Sequence, residues 1–594
     1  MERLIDISSY PVANVLDLLL TDKSTQKNII WATDTYDELG EGFSDKAQMS
    51  VDLLRQHPDL ICSRIQKSQE AQAERTRKKA EVFTPAWLCN RMNNYLDEDW
   101  FGSGDMFNSE NPDHTWTVTE GKIAFSELDG WQQYVDSRRL EITCGEAPFL
   151  VSRYDVSTGD LIVPLIRRIG ILDRKLRVVN ENTDIYEDWL KWVVHAFEAS
   201  YGYEYQGDNV LIARINLLLT FVDYYEERWK QQPNEELLKQ IANKIIWNIW
   251  QMDGLKDTVP LGKPYEKVQQ LTFFDMLGAE VEKEPEAVPC KIFNWRKNAS
   301  LKFMEVKEMW SMNKKLFNYV IGNPPYNDNF ENSGENGNFA KPVYNQFMDA
   351  VNDVAEKVEL IHPARFLFNA GSTPKVWNEK KLNDPHFKIL SYEADSSKVF
   401  SNTDIKGGIA ISYSDSTRNF GPIGTFTAYS ELNDILKKCR AKNEQSSLAS
   451  IIYTQIRFNL EKLYEDYPEY REIIGSKGKD RRFRNNAFEK ISLFSEEQTY
   501  DDDIKVLGVL NNKRTWRFIP SKYVDMSHEN LNCWKALCPR ANGAGVFGES
   551  LSPLVIGEPY IGYTQTFIGI GAFETQFEAT AAIKYLNLTV KFTR

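Results

Sequence analysis

Between Leu316 and Asp328 the chain reads LFNYVIGNPPYND. Phe317 to Ile321 is apolar and β-branched apart from Asn318, the composition of a buried strand; Gly322 ends it and two prolines stiffen the loop beyond. The residues just past the strand could do chemistry. The carboxamide oxygen of Asn323 and the rigidly presented carbonyl of Pro324 are two acceptors able to converge on one NH2 group, and Tyr326 adds a flat aromatic face. In open α/β sheets, ligands are handled at this end of a strand.

Asn323-Pro324-Pro325-Tyr326 resembles the catalytic motif of amino-methyltransferases that use S-adenosyl-L-methionine, above all the N6-adenine DNA methyltransferases. The resemblance implies a role for each residue. An exocyclic adenine amine is a poor nucleophile because its lone pair is delocalised into the ring; two acceptors favour a pyramidal nitrogen and turn that lone pair toward the methyl donor. Tyr326 would stack on an adenine extruded from the duplex. The leaving group is a neutral thioether and the donor is already cationic, so the reaction needs no metal.

Other elements must position this motif. Phe83-Thr84-Pro85, followed by an apolar-periodic helix, resembles the F-T/Y-P turn that caps the methionine end of the cofactor in these enzymes. RRLEITCGEAPFL, residues 138 to 150, reads as a short strand and a tight turn. It resembles the family's cofactor loop, with Glu141 as the acid, then Thr143, Cys144, Gly145 and Phe149; Ala147 departs from the pattern, standing where a second glycine is usual. Glu204, at the end of the next strand, matches the acid that receives ribose hydroxyls. Asp253 in IIWNIWQMDGL, read as a strand plus acid, matches the residue that contacts the cofactor adenine, with Asp275 and Asn294 as rivals. The order of these elements resembles the gamma class of N6-adenine DNA methyltransferases of type II restriction–modification systems, in which cleavage and methylation can be fused. It implies a Rossmann-like α/β methyltransferase domain.

Composition sets the frame. The 594 residues allow several domains, and 42% hydrophobic content can build real cores. No apolar run is long enough to span a membrane and MERLIDISSY lacks a signal-peptide core, so a cytoplasmic location without membrane attachment is expected. The cysteines (62, 89, 144, 290, 439, 533 and 538) form no CxxC pair and the histidines do not cluster, which argues against disulfides and zinc. The formal charge of −14 requires a DNA enzyme to concentrate its cations locally.

The chain divides into three segments: 1–60 without assignable chemistry, 61–425 as the methyltransferase domain, and 426–594 as a mixed α/β target-recognition domain. Arg64 to Lys79 reads as a basic helix, 97–136 as irregular, 151–185 as an insertion, and 327–342 as a polar loop suited to a lid. Lys477, Lys479, Arg481, Arg482, Arg484, Lys513, Arg514, Arg517 and Arg540 are the candidate DNA contacts in the last segment. The expected partners are double-stranded DNA and a separate restriction endonuclease or other defence-system subunit. Competing readings are a DNA-specificity subunit with a decayed cofactor pocket, motivated by Ala147, and a protein or RNA amino-methyltransferase. A nuclease fused in this chain is disfavoured, since the N-terminal segment shows no acidic pair followed by E-x-K.

Overall fold

A seven-stranded sheet organises the first of two units, residues 1–428 and 429–594, in the computed structural model of the protein. The structure describes residues 3–68, 72, 82–127, 129–262, 287–310, 315–328, 341–400, 405–429, 432, 438, 448–541 and 552–592. The strands are β1 Arg139–Ile142, β2 Ser200–Glu204, β3 Ile249–Gln251, β4 Phe317–Gly322, β5 Ala355–Pro363, β6 Phe387–Glu393 and β7 Ile409–Asp415. Across the sheet they run β6-β7-β5-β4-β1-β2-β3. The pairs β5–β4, β4–β1, β1–β2 and β2–β3 are parallel, and β7 is antiparallel to both its neighbours. This mixed α/β, mostly parallel sheet is the fold class the motifs imply, and β6 is a strand the sequence reading did not find.

Helices cover both faces, which is why the central strands are apolar on both sides. One face packs against α1 Ala86–Phe101, α2 Ile171–Asn182, α3 Tyr186–Glu198, α4 Gly207–Trp229 and α5 Glu235–Asn248, through residues such as Met92, Leu172, Trp189, Leu211 and Ile241. The other, with Leu140, Val320, Val358 and Leu360, packs against α6 Tyr344–Asn352 through Phe347 and Met348. The stretch read as an insertion at 151–185 contains α2, a core helix. Residues 97–136 are more regular than expected: α1 runs to Phe101, a hairpin pairs Asn108–Glu110 with Trp116–Val118, and a helix spans Gly130–Asp136. IIWNIW is divided. The helix α5, begun where the Asn234 side chain accepts from Leu237 N at 2.9 Å, continues through Asn248 before β3 starts.

The N-terminal segment is built into this unit. Gln251 donates to the Ile30 carbonyl at 2.8 Å and accepts from its amide at 3.0 Å, and Gly207 N donates to Trp31 O at 2.9 Å. A Cβ on Gly207 would lie 2.0 Å from the Ile30 carbonyl oxygen, so only glycine admits this approach. Of the basic stretch expected to be helical, Arg64–Gln66 forms a 3-10 turn; 69–71 and 73–79 lie outside the described residues. So do 329–340 of the expected lid, together with Asp275 and Cys439. No described helix is long and apolar enough to cross a membrane.

The second unit has its own core, including Phe458, Phe483, Val506, Ile519 and Tyr563. Strands β8 Ile504–Leu510 and β9 Lys513–Ile519 form an antiparallel hairpin, and β12 Ile561–Tyr563 pairs parallel with β8. A second sheet joins β10 Trp534–Pro539 to β11 Val555–Gly557 and β13 Phe567–Phe573, and α7 Gln576–Phe592 comes after β13.

The sheet generates two expectations. Gly322 ends β4 against β1, and a Cβ there would stand 2.6 Å from Ile142 Cγ1 and 2.8 Å from Ile142 O. Gly322→Ala should therefore lower stability by about 1–3 kcal/mol in denaturant unfolding. His362 on β5 is buried, with Nδ1 3.1 Å from Pro363 O and Nε2 2.7 Å from the Ser412 hydroxyl. A carbonyl only accepts, so Nδ1 carries the proton and Nε2 accepts from Ser412. Burial, followed by the Lys381 charge, lowers its pKa from 6.5 to about 4, against the backbone contact at Pro363. Unfolding frees this histidine to bind a proton between those values, so stability should fall by about 3 kcal/mol as pH drops from 6.5 to 4. Urea melts at stepped pH should show that a His362→Gln variant loses this part of the dependence.

Candidate active site

The chain changes winding direction between β1 and β4, and a cavity of about 450 Å³ opens at their carboxyl ends. Such a switch point in a parallel sheet leaves a crevice that later connections do not cover. Thr143 spans the two strands by donating from Oγ1 to the Asn323 carbonyl at 3.1 Å.

The loop after β1 forms one wall. Thr143, Gly145 and Ala147 have φ of 44°, 53° and 65°, a run of left-handed backbone that turns the chain sharply. Ala147 adopts the conformation a glycine would favour; its methyl group is buried and does not line the cavity. The pocket is thus formed in spite of the departure from the family pattern. Glu141 also lines the cavity, but its buried carboxyl accepts from Phe149 N at 3.4 Å and Leu150 N at 2.9 Å, fastening the loop to its own strand. Burial pushes the Glu141 pKa well up, opposed by those two amides. The Cys144 thiol is likewise pushed up, first by burial and then by the Glu141 and Glu204 charges, which makes it an inert filler.

Glu204, at the end of β2, accepts from Gly145 N at 2.9 Å and from Gln206 N at 3.2 Å. A carboxylate has about four acceptor positions, so further donors such as vicinal hydroxyls can be received on the cavity side. Asp253 comes after β3 and lines the same cavity; its Oδ1 accepts from Leu255 N at 3.1 Å, and Lys256 lies 3.4 Å from Oδ2. Its rival Asn294 is buried and not among the lining residues. A cavity of this volume, with a close-approach glycine, an acid at β2 and an acid after β3, fits an adenosyl cofactor.

Asn323 is the pivot. Its Nδ2 donates to Val82 O at 3.0 Å and to Thr84 Oγ1 at 3.3 Å, so the motif holds the Phe-Thr-Pro turn directly. Because the Val82 carbonyl can only accept, the amide orientation is fixed and Oδ1 must point the other way. Oδ1 is buried with no hydrogen-bond partner among the described residues; the Tyr326 hydroxyl also has none of good geometry there, though the Asn323 side chain is near enough to hold its pKa down against burial. A buried acceptor left unpaired costs about 1–3 kcal/mol, a cost that a donor on a ligand in the adjoining cavity would relieve.

The structure gathers Phe83, Thr84, Glu141, Thr143, Cys144, Gly145, Phe149, Glu204, Asp253, Asn323 and Pro325 around one cavity. Pro85 instead caps α1, and Pro324 is buried. Tyr326 differs from the expectation of an open stacking face: its ring is buried in the core and does not line the cavity, and burial pushes its pKa far up. The sequence reading missed Val82, Gln206, Asn209 and Phe347, which also line the cavity. Gln206 and Asn209 flank the glycine that opens α4 directly after the β2 acid, a signal that was present; Phe347 comes from α6 and left none.

The candidate DNA contacts of the second unit are largely engaged within it. Arg482 forks onto Asp480 at 2.8 and 2.9 Å, with Arg484 on the same carboxylate. Their hydrogen bonds hold the Asp480 pKa well down, Arg482 first. Arg481 pairs with Asp525 at 2.8 Å and Arg517 with Glu496 at 2.6 Å, while Arg514 donates to Pro553 O at 2.6 Å. Lys477, Lys479, Lys513 and Arg540 have no ion-pair partner among the described residues.

Residues 198–400 match the family model of the Eco57I restriction-modification methylase, so the resemblance drawn from the motifs stands over that span. Among curated proteins, none matches. Solved structures with similarity include the ATP-dependent Type ISP restriction-modification enzyme LlaBIII bound to DNA, at 13% identity and TM-score 0.37, covering 87% of this chain and 35% of that one. A DrdV–DNA complex matches at 10% identity and TM-score 0.33, covering 85% and 52%. The Type IIL restriction-modification enzyme MmeI in complex with DNA matches at 11% identity and TM-score 0.36, covering 96% and 75%. This chain spans about a third to a half of the length of the first two, and likenesses at these scores add nothing to the assignment.

Gly145 offers a direct test of the cavity. With φ at 53° and a Cβ that would meet Phe83 Cε1 at 3.3 Å, Gly145→Ala adds strain of about 1–2 kcal/mol and displaces a lining ring. Calorimetric titration with S-adenosyl-L-methionine should show affinity about tenfold weaker than the parent's.

Proposed function

We propose that this chain is a site-specific DNA methyltransferase acting on the N6 amine of adenine, with S-adenosyl-L-methionine as methyl donor, within a restriction–modification system. One observation carries the reading: a buried Asn323 carboxamide oxygen, oriented by Val82 and Thr84 and without a partner among the described residues, beside a cofactor-sized cavity.

The residues divide the work. Glu204 would receive ribose hydroxyls and Asp253 the adenine edge; both line the cavity, as do Phe83 and Gly145. The cofactor supplies an electrophilic methyl group on a cationic sulfur. Asn323 Oδ1 accepts one N–H of the target amine and the Pro324 carbonyl the other, so the lone pair concentrates on the face toward the donor. The attacking nitrogen becomes cationic and loses its surplus proton to solvent after the new C–N bond has formed. Stabilisation of this kind is preorganised, because Asn323 is already oriented before any base arrives. The intact cavity around Ala147 favours an enzyme over a specificity subunit with a decayed pocket.

Asn323→Ala removes the acceptor while leaving the β1 loop and Glu204 in place. Methyl transfer to DNA, followed with tritiated donor, should fall by about 10²-fold or more, by analogy with losing one preorganised partner. Donor affinity should stay within a few-fold. A variant that retains activity would remove Asn323 from the mechanism, and equal loss of donor binding would make it a structural residue of the Phe-Thr-Pro turn.

A further inference from the structure

Arg481, Arg482, Arg484 and Arg517 of the second unit are matched by acids, and a protein of charge −14 that acts on DNA needs unmatched cations near its catalytic edge. The first unit has such a group. Arg365 stands just past the last residue of β5, Lys406 precedes β7, and Lys375 opens a helix, Lys375–Leu382, whose Asn378 is hydrogen-bonded to Asn369 at 3.1 Å. All three are exposed and none has an ion-pair partner among the described residues, whereas nearby Lys398 lies 3.6 Å from Glu393.

Arg365 is held in place. Gly407 and Gly408 have φ of 89° and 78°; a Cβ on the first would lie 2.4 Å from Arg365 Cγ, and on the second 2.3 Å from the Glu393 carbonyl. The turn before β7 therefore lies tight between the Arg365 stem and the end of β6. Beside it, Phe368, Tyr392 and Phe426 form a ring triad with centroids 5.4–5.6 Å apart at 65–76°, an edge-to-face arrangement that fixes each ring. Phe368 remains 44% exposed and the neighbouring Val376 79%. Tyr392 reaches the Gly407 carbonyl at 3.4 Å, which joins the rings to the cationic turn.

These groups lie at the carboxyl edge of the sheet, the edge that carries Asn323. β5 and β7 are one and two strands from β4, hence about 5 and 10 Å along that edge. We propose that Arg365, Lys375, Lys406 and the exposed ring of Phe368 form a shelf for the DNA strand flanking the extruded base, the cations on phosphates and the ring on an unstacked base. This rests on the reading of the site as a DNA base methyltransferase. Fixed aromatic faces interleaved with unpaired cations are what single-stranded nucleic acid takes, and charge complementarity arises from the backbone phosphates.

The test uses the full chain and fluorescence anisotropy with a random-sequence duplex and a single strand across a salt series. Arg365→Gln combined with Lys406→Gln should lower the log–log salt slope for duplex by about 1.8, roughly 0.9 for each phosphate no longer neutralised. The swap Arg365→Lys with Lys406→Arg should keep the parent's slope, which separates removal of charge from misfolding. Phe368→Ala should weaken single-strand binding fivefold or more. A Gln double variant with the parent's slope overturns the shelf and returns the surface to another partner, such as an acidic protein. A parent that binds neither DNA form overturns the DNA reading itself.

Discussion

The approach of β4 to β1 at their carboxyl ends governs everything at the site. Gly322 has no side chain, so the end of β4 comes within a distance of Ile142 that no Cβ would allow. That closeness lets Thr143 reach the Asn323 carbonyl and brings the Asn323 amide to Val82 and Thr84. The left-handed backbone at Thr143 and Gly145 then turns the β1 loop away and leaves the cavity open. A small steric fact at one residue thus sets the geometry of three sequence-distant elements.

The resulting site is held together by hydrogen bonds rather than by charge. Glu141 and Glu204 both secure backbone amides of the β1 loop, and Asn323 secures the Phe-Thr-Pro turn. These polar groups are buried, where each satisfied bond is worth about 1 kcal/mol and each broken one costs more. The exceptions are informative. Asn323 Oδ1 and the Tyr326 hydroxyl are buried and unpaired among the described residues, as are both Glu359 oxygens on the adjacent β5, and the first two belong to the Asn-Pro-Pro-Tyr motif.

Much of this was legible in the residues. The strand before Asn323, the turn at Phe83, the loop at Gly145 and the acid at Glu204 could be placed because each combines an apolar run with a glycine, proline or acid at its end. Less legible were features set by tertiary contacts. The Gly207 contact with Ile30 shows that the N-terminal segment is built into the first unit, but a sequence cannot show which backbone a glycine must accommodate. The run of cations at 481–484 reads as a binding surface, yet Asp480, only two residues from Arg482 and four from Arg484, takes up both. Local charge counts miss such pairing because it depends on rotamers. Tyr326 makes the same point: the motif specifies an aromatic ring, while the surrounding core decides whether its face is open.

The proposed function turns on transfer of a methyl group to adenine N6. It is tested most directly by incubating the full chain with unmodified duplex DNA and S-adenosyl-L-methionine carrying a deuterated methyl group, then digesting to nucleosides and analysing them by mass spectrometry. Label is expected in the N6-methyldeoxyadenosine of the DNA and in no other nucleoside. Label in a methylated cytosine, or in protein or RNA but not in DNA, would contradict it.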